Sequence, residues 1–207
     1  MLTIFGYRAS INVRKVLWLC EEMNPAYRME NWGGGTRSTS EPEFLRLNPV
    51  GMVPAIDDAG FVLWESNTIL RYLAASRGRK DLLPDDARLR ASIEKWMEWQ
   101  VSDFNNSWRV AFQGLVRRNP DYQDKEVITR SVAAFSDLVA RIGVEIDRQG
   151  GYVCGDSFTL ADIPIGLSLH RWRALPAEKP HLPVIEAYYE RLCSRRGFQM
   201  HGLNGGP

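Results

Sequence analysis

Apolar residues fall first into short runs separated by turn-formers and later into long three-and-four spacings, so the chain reads as two regions of different texture. Residues 2–5 form a short apolar run that predicts a buried strand. Ser10 then precedes Val13, Val16, Leu17 and Cys20, an i, i+3, i+4, i+7 spacing that turns one face of a helix to a core. Ser10 or Asn12 supplies a cap for that helix. Asn24-Pro25 ends it, because proline disfavours helical geometry in the residue before it. Residues 27–30 predict a second strand, and a helical crossover between two strands is the connection that parallel pairing requires.

Residues 32–40, with the run Gly33-Gly34-Gly35, predict a mobile loop, and residues 41–47 a short helix stopped before Asn48-Pro49. Two more apolar segments, 53–56 and 61–64, flank Asp57-Asp58-Ala59-Gly60, a turn-forming cluster that favours a hairpin. Glu65-Ser66 then opens a helical spacing at Ile69, Leu70 and Leu73. A helix start carries unpaired backbone N–H groups and seats a carboxylate. The adjoining Glu65 suits an amine, so a small molecule with an α-amino acid head satisfies both.

Residues 76–86 are charged and contain Gly78 and Pro84, which suits an interdomain linker. Beyond them Ile93, Met97, Val101, Phe104, Trp108, Phe112 and Leu115 predict a long amphipathic helix, broken at Asn119-Pro120-Asp121. Val127, Val132, Phe135, Leu138, Val139, Ile142 and Ile146 predict another, ending at Gly150-Gly151. A third is expected from Thr159. There Thr159 and Asp162 have the spacing of an acidic capping box, Phe158 and Ile163 that of a hydrophobic staple, and Pro164 bends the helix slightly. A fourth covers 184–193. The expected organisation is an α/β domain over 1–76, a linker over 77–87 and a helical domain over 88–207.

Composition narrows the function classes. At 207 residues, 44% hydrophobic and 25% charged, the chain suits one large or two small soluble domains. A net charge of +1 indicates no broad basic face for nucleic acid or anionic lipid. No apolar run approaches the ~20 residues that span a bilayer, and residues 1–5 lack the basic flank and cleavage-like site of a signal peptide. Cys20, Cys154 and Cys193 are odd in number and far apart, so a reducing cytoplasm is expected and a disulfide framework or zinc site is not. His170, His181 and His201 lack metal-ligand spacing and read as surface or structural residues. No metal is expected.

Four segments in order carry a resemblance: Ser10-Ile11-Asn12-Val13-Arg14-Lys15-Val16, Asn48-Pro49-x-Gly51-x-Val53-Pro54, Glu65-Ser66, and Thr159-Leu160-Ala161-Asp162. Together they resemble the glutathione transferases over nearly the whole chain, in the serine-type, bacterial theta- or beta-like branch. The resemblance implies a thioredoxin-like N-terminal domain followed by an all-helical C-terminal domain, and a homodimer. It implies glutathione as co-substrate, no tightly bound cofactor, and a small hydrophobic or halogenated electrophile as second substrate. Val53 would offer its N–H and C=O to the cysteinyl backbone of glutathione beside a cis bond to Pro54, an isomer that costs about 0.5–1 kcal/mol at X–Pro. Glu65 and Ser66 would hold the γ-glutamyl amine and carboxylate.

Such chemistry needs a thiolate. A free thiol ionises near pH ~8.5, so lowering its pKa by about two units takes about 2.7 kcal/mol of differential stabilisation. A hydroxyl donating to sulfur and the positive end of a helix supply that together, and Ser10 stands where both are available. Asn12 and then Tyr7 are the next donors in rank, and a plain helix cap is the other reading of Ser10. Two departures from the family pattern stand out. Many relatives carry a basic residue before the Val-Pro pair, to meet the glycyl carboxylate; here it is Met52, with Arg37 the best substitute. No cysteine occupies position 10, which argues against the cysteine-type members and the maleylacetoacetate isomerase branch, and Cys20 reads as core.

The second substrate is expected between the domains, against the first loop with Tyr7 and the long helix with Asn105, Trp108, Arg109 and Phe112. Trp108 and Phe112 equally read as core packing, and Arg109 faces an acidic electrophile or water. Two other readings share the scaffold: a glutathione-dependent disulfide or peroxide reductase, and a non-catalytic binding module. The glycine-rich tail 199–207 reads as disordered or as folding over the cleft.

Overall fold

The computed structural model describes residues 1–205, which divide into two units. One comprises residues 1–83 together with residues 195–205, and the other residues 84–194. In the first, four short strands, β1 (Leu2–Phe5), β2 (Tyr27–Glu30), β3 (Ala55–Asp58) and β4 (Phe61–Trp64), lie in the order β2-β1-β3-β4. β1 is buried throughout. It pairs in parallel with β2, Leu2 opposite Tyr27, and antiparallel with β3, Leu2 opposite Asp58. The crossover between β1 and β2 is helix α1 (Ile11–Met23). With α2 (Pro42–Leu45) and α3 (Ser66–Ser76), this is the thioredoxin-like arrangement.

β3 begins two residues later than the apolar run predicts. Pro54 has no N–H to give a ladder, and the Val53–Pro54 peptide is cis. The strand runs on through Asp58, which shortens the turn to Ala59 and Gly60, with φ of 56° and 95°. Two successive positive φ values are what a two-residue hairpin turn matched to strand twist demands.

The largest departure from the sequence reading is α1, where every residue from Val13 to Cys20 is buried, Arg14 and Lys15 included. A one-faced amphipathic helix leaves its far side to water. Here α9 (Arg196–His201) also packs on it, from the tail read as disordered or cleft-covering. The Arg14 guanidinium donates to the carbonyls of His201 and Gly202, and the Trp18 and Phe198 rings meet at 4.9 Å. A Cβ on Gly197 would lie 2.2 Å from the Trp18 ring, so the approach requires glycine. Positions 206–207 of that tail lie outside the described residues. At the other boundary the first unit continues past residue 76: Leu82 and Leu83 are buried, and Arg77 grips Asp58 with two hydrogen bonds of 2.7 and 2.9 Å.

The second unit holds α4 (Ala87–Trp99), α5 (Asn105–Ala111), α6 (Lys125–Gln149), α7 (Asp162–Ala174) and α8 (Pro183–Cys193). The single long helix of the sequence reading is α4 and α5 with π-helical turns at Gln100–Phe104 and Phe112–Val116. Asp86 and Asp124 cap α4 and α6, each accepting two backbone N–H groups. α7 starts at Asp162, not at Thr159. The Asp162 carboxylate accepts the Thr159 N–H and hydroxyl, the Val153 N–H and the Tyr188 hydroxyl, fastening a loop and α8 to the start of α7. Pro164 thus falls in the first helical turn, where a missing N–H costs nothing and no bend is needed. Among the described residues, no helix is long and apolar enough to cross a membrane.

Candidate functional site

Three loops of the first unit carry the residues singled out by sequence. The loop after β1 is drawn tight by Gly6, where a Cβ would sit 2.5 Å from the Val13 side chain and 3.4 Å from that of Val53. The start of α1 therefore lies beside the Val-Pro segment. Ser10 opens α1 in extended geometry; its N–H donates to the Tyr7 carbonyl and its carbonyl receives Arg14 N–H, but its hydroxyl makes no bond to the helix. The Tyr7 ring packs on the glycine run, so close that a Cβ on Gly34 would come within 2.6 Å of it.

The second loop is fixed by Asn48, itself 2% exposed. Its amide donates to the Met52 carbonyl at 2.6 Å and accepts Val50 N–H at 3.0 Å. Val53 packs against the buried cluster of Phe5, Trp32, Phe44 and Ala55. No protein group among the described residues bonds to its N–H or C=O. The Met52 side chain is exposed and apolar. Arg37 lies over the Trp32 ring at 3.6 Å and donates to Glu41 and Glu43 at 3.0 and 2.5 Å, so its guanidinium is already engaged by two carboxylates.

The third segment is the start of α3. Glu65 is exposed and takes a φ of 70° and ψ of 109°, a conformation that non-glycine residues rarely hold. Ser66 and Asn67 behind it are buried. The Ser66 hydroxyl donates to Asn12 Oδ1 at 3.4 Å, which joins the starts of α1 and α3. Lys15 Nζ donates to Asn67 Oδ1 at 3.3 Å and to Ser66 Oγ at 3.5 Å. Ser10, Asn12, Val53 and Ser66 are thus held by one framework, while Arg37 is committed elsewhere.

Candidates in the helical unit separate into two kinds. Arg109 is exposed, and Asn105 accepts a hydrogen bond from Gln100 at 2.9 Å. Trp108 and Phe112 meet edge to face at 5.6 Å, with the buried Arg171 guanidinium 4.3 and 4.0 Å from their ring centres. That is a packed cation–aromatic stack within the unit. Burial pushes the Cys20 and Cys154 thiols up to about 12 and raises Cys193 as well, so none is a thiolate at neutral pH. Among the described residues no group of three or more His, Cys, Asp or Glu is placed to hold a metal ion.

Sequence reasoning passed over Lys15, Asn67 and Arg171. Lys15 had a signal: a basic residue next to Val16 in a helix whose apolar positions surround it. Asn67 and Arg171 had none, because their contacts join distant parts of the chain.

The chain matches the family model "Glutathione S-transferase, N-terminal domain" over residues 1–75. It is 34% identical to glutathione S-transferase GstB of Escherichia coli strain K12 over 197 residues, covering 94% of each chain. It is 32% identical to glutathione S-transferase 3 of Zea mays, covering 96% of this chain and 91% of that one. Among solved structures, the theta class glutathione S-transferase of Xanthomonas axonopodis pv. citri with glutathione bound superimposes with a TM-score of 0.91 at 37% identity, covering 98% and 97% of the two chains. Kinship of this extent, on a scaffold whose first unit carries the expected loops, means that the chain belongs to the glutathione S-transferase family.

Proposed function

We propose that this chain ionises the thiol of glutathione and directs it at a small hydrophobic or halogenated electrophile. Val53 aligns the cysteinyl backbone, Glu65 pairs with the γ-glutamyl amine, and Ser66 with the α3 start receives the neighbouring carboxylate. Ser10 donates its hydroxyl to the sulfur at the positive end of α1, with Asn12 and Tyr7 the next candidates. The thiol proton leaves to solvent. The sulfur lone pair then forms a C–S bond, and with a halogenated substrate the halide departs with the electrons of the bond it breaks.

The observation that carries this reading is the state of Ser10: a serine at a helix start whose hydroxyl is not used to cap that helix. The high thiol pKa values of the three cysteines favour glutathione's own sulfur as the nucleophile. The glycyl carboxylate is the weakly held end. Met52 offers no charge, and Arg37 reaches a ligand only in competition with Glu41 and Glu43. A homodimer and a cytoplasmic setting belong to the same reading, and light scattering tests the first. Retention on immobilised glutathione, followed by turnover of aryl halides, haloacids and mixed disulfides, tests the activity. Turnover of mixed disulfides alone would favour a reductase, and neither retention nor turnover would leave a binding module.

A further inference from the structure

Where the chain passes from α7 to α8 it leaves a cavity of about 340 Å3, lined by Trp172, Arg173, Lys179, Pro180, His181 and Glu186. The cavity lies wholly within the second unit, and none of the residues assigned to glutathione lines it. Arg173 is exposed in the last turn of α7, with its guanidinium 4.4 Å from the centre of the Tyr189 ring. No group among the described residues accepts its N–H donors. The ring contact therefore steadies a planar cation without using the donors that face a ligand. Lys179 is half-buried and donates to the Leu175 and Ala177 carbonyls at 2.5 and 2.8 Å, which ties the connecting segment to the end of α7. An ammonium has three donors, so one remains. Glu186, the one acid on the wall, is turned to His181, with its Oε1 3.0 Å from Nδ1.

We propose that this cavity is a second ligand site, which binds a small phosphate monoester through Arg173 and Lys179. The two cations act on each other: burial first, and then the Arg173 charge, hold Lys179 below its ordinary value of 10.5, and no carboxylate offsets them. An anion between the two relieves that repulsion. Two permanent charges match a dianion better than a carboxylate. A tetrahedral phosphate also has enough oxygens to take the guanidinium fork and the remaining ammonium N–H at once. The cavity has the size of a small-molecule pocket and exceeds what the anion alone fills, so the phosphate is carried on an organic body. Neither step depends on what the first unit binds.

The test is calorimetric titration at constant ionic strength with phenyl phosphate, phenyl sulfate (an isostere of one charge fewer) and inorganic phosphate. Wild type is expected to bind phenyl phosphate saturably, about tenfold more tightly than phenyl sulfate, the size of one charge-assisted hydrogen bond. Inorganic phosphate should bind more weakly than the ester. Arg173→Gln should weaken phenyl phosphate about tenfold and leave the Kd of glutathione unmoved. Arg130→Gln removes the same charge from an exposed arginine outside the cavity and should change neither. Lys179→Gln should match Arg173→Gln; should its lost bonds to Leu175 and Ala177 unfold the unit, the exposed Arg173 carries the test alone. Absence of saturable phenyl phosphate binding overturns the proposal. So does equal weakening by Arg173→Gln and Arg130→Gln, or none by Arg173→Gln. Phenyl sulfate binding as tightly as the phosphate overturns the dianion, and inorganic phosphate binding as tightly as the ester overturns the organic ligand.

Discussion

α4 and α6 start where Asp86 and Asp124 each accept two backbone N–H groups, whereas α1 and α3 start at Ser10 and Glu65, whose side chains make no bond to their own helices. Unpaired N–H groups at a helix start are satisfied by side chains, water or ligands. A carboxylate cap closes the start and stabilises the fold by about 1 kcal/mol. The uncapped starts in the first unit forgo that gain and keep their N–H groups and a positive field available to an anion. Serine is among the best capping residues, so its failure to cap at position 10 is more informative than its presence there.

The contrast yields predictions of opposite kind for the two sets of helices. Ser10→Ala should lower kcat/KM for conjugation about a hundredfold, as loss of one donor to a developing or resident anion does. The pKa of bound glutathione should return towards ~8.5, with the melting temperature nearly unchanged. Titration of the bound thiolate by ultraviolet absorption reads the first effect and calorimetry the second. A stability loss without a shift in thiolate pKa would put Ser10 with the caps. Glu65→Gly should raise KM for glutathione about tenfold through loss of the amine partner. It should also stabilise the protein by about 1 kcal/mol, because glycine holds a φ of 70° without strain. Steady-state kinetics and urea midpoints report the two signs, and a loss of stability would show that Glu65 serves the fold. Asp124→Ala should cost about 1 kcal/mol, or about 2–4 °C in melting temperature for a chain of this size, with KM and kcat unmoved.

The smallest effect is expected at α9. Burial holds the His201 imidazole below its ordinary value of 6.5, against the pull of Glu21. Its folded pKa is the lower one, so its contribution is complete above pH 6.5 and is lost as pH falls from there towards the folded value. Urea midpoints below pH 6.5 should therefore decline more steeply in wild type than in His201→Gln, and equal slopes would remove His201 from the account.

Much of the fold is legible because its signals are local. Val13-Val16-Leu17-Cys20 and Phe135-Val139-Ile142-Ile146 spell helices, and Ala59-Gly60 spells a turn, in a few residues each. The remainder depends on partners far along the chain. α9 is six residues long, with Gly197 inside it and Gly202 just after it, a composition that reads as loop. Its reason for being a helix is Trp18, some 180 positions earlier. The start of β3 was displaced for a local reason, since Pro54 both marks the loop and withholds an N–H. In the site, Ser10, Glu65 and Ser66 stand out as residue types with chemistry attached. Lys15 did not, because a lysine among the apolar positions of α1 reads as solvated until its complete burial against Asn67 is seen.

The grip of Arg14 on the carbonyls of His201 and Gly202 also sets an order of events during synthesis. The first unit opens with residues 1–83 but is not finished until residues 195–202 have been synthesised. At typical elongation rates the interval between Leu83 and Arg195 is on the order of 10 s. Throughout it the face of α1 that bears Trp18 lacks its lid. The domain that emerges first is therefore the one completed last, and a nascent chain arrested before Arg195 is an exposed apolar surface awaiting either its own tail or a chaperone.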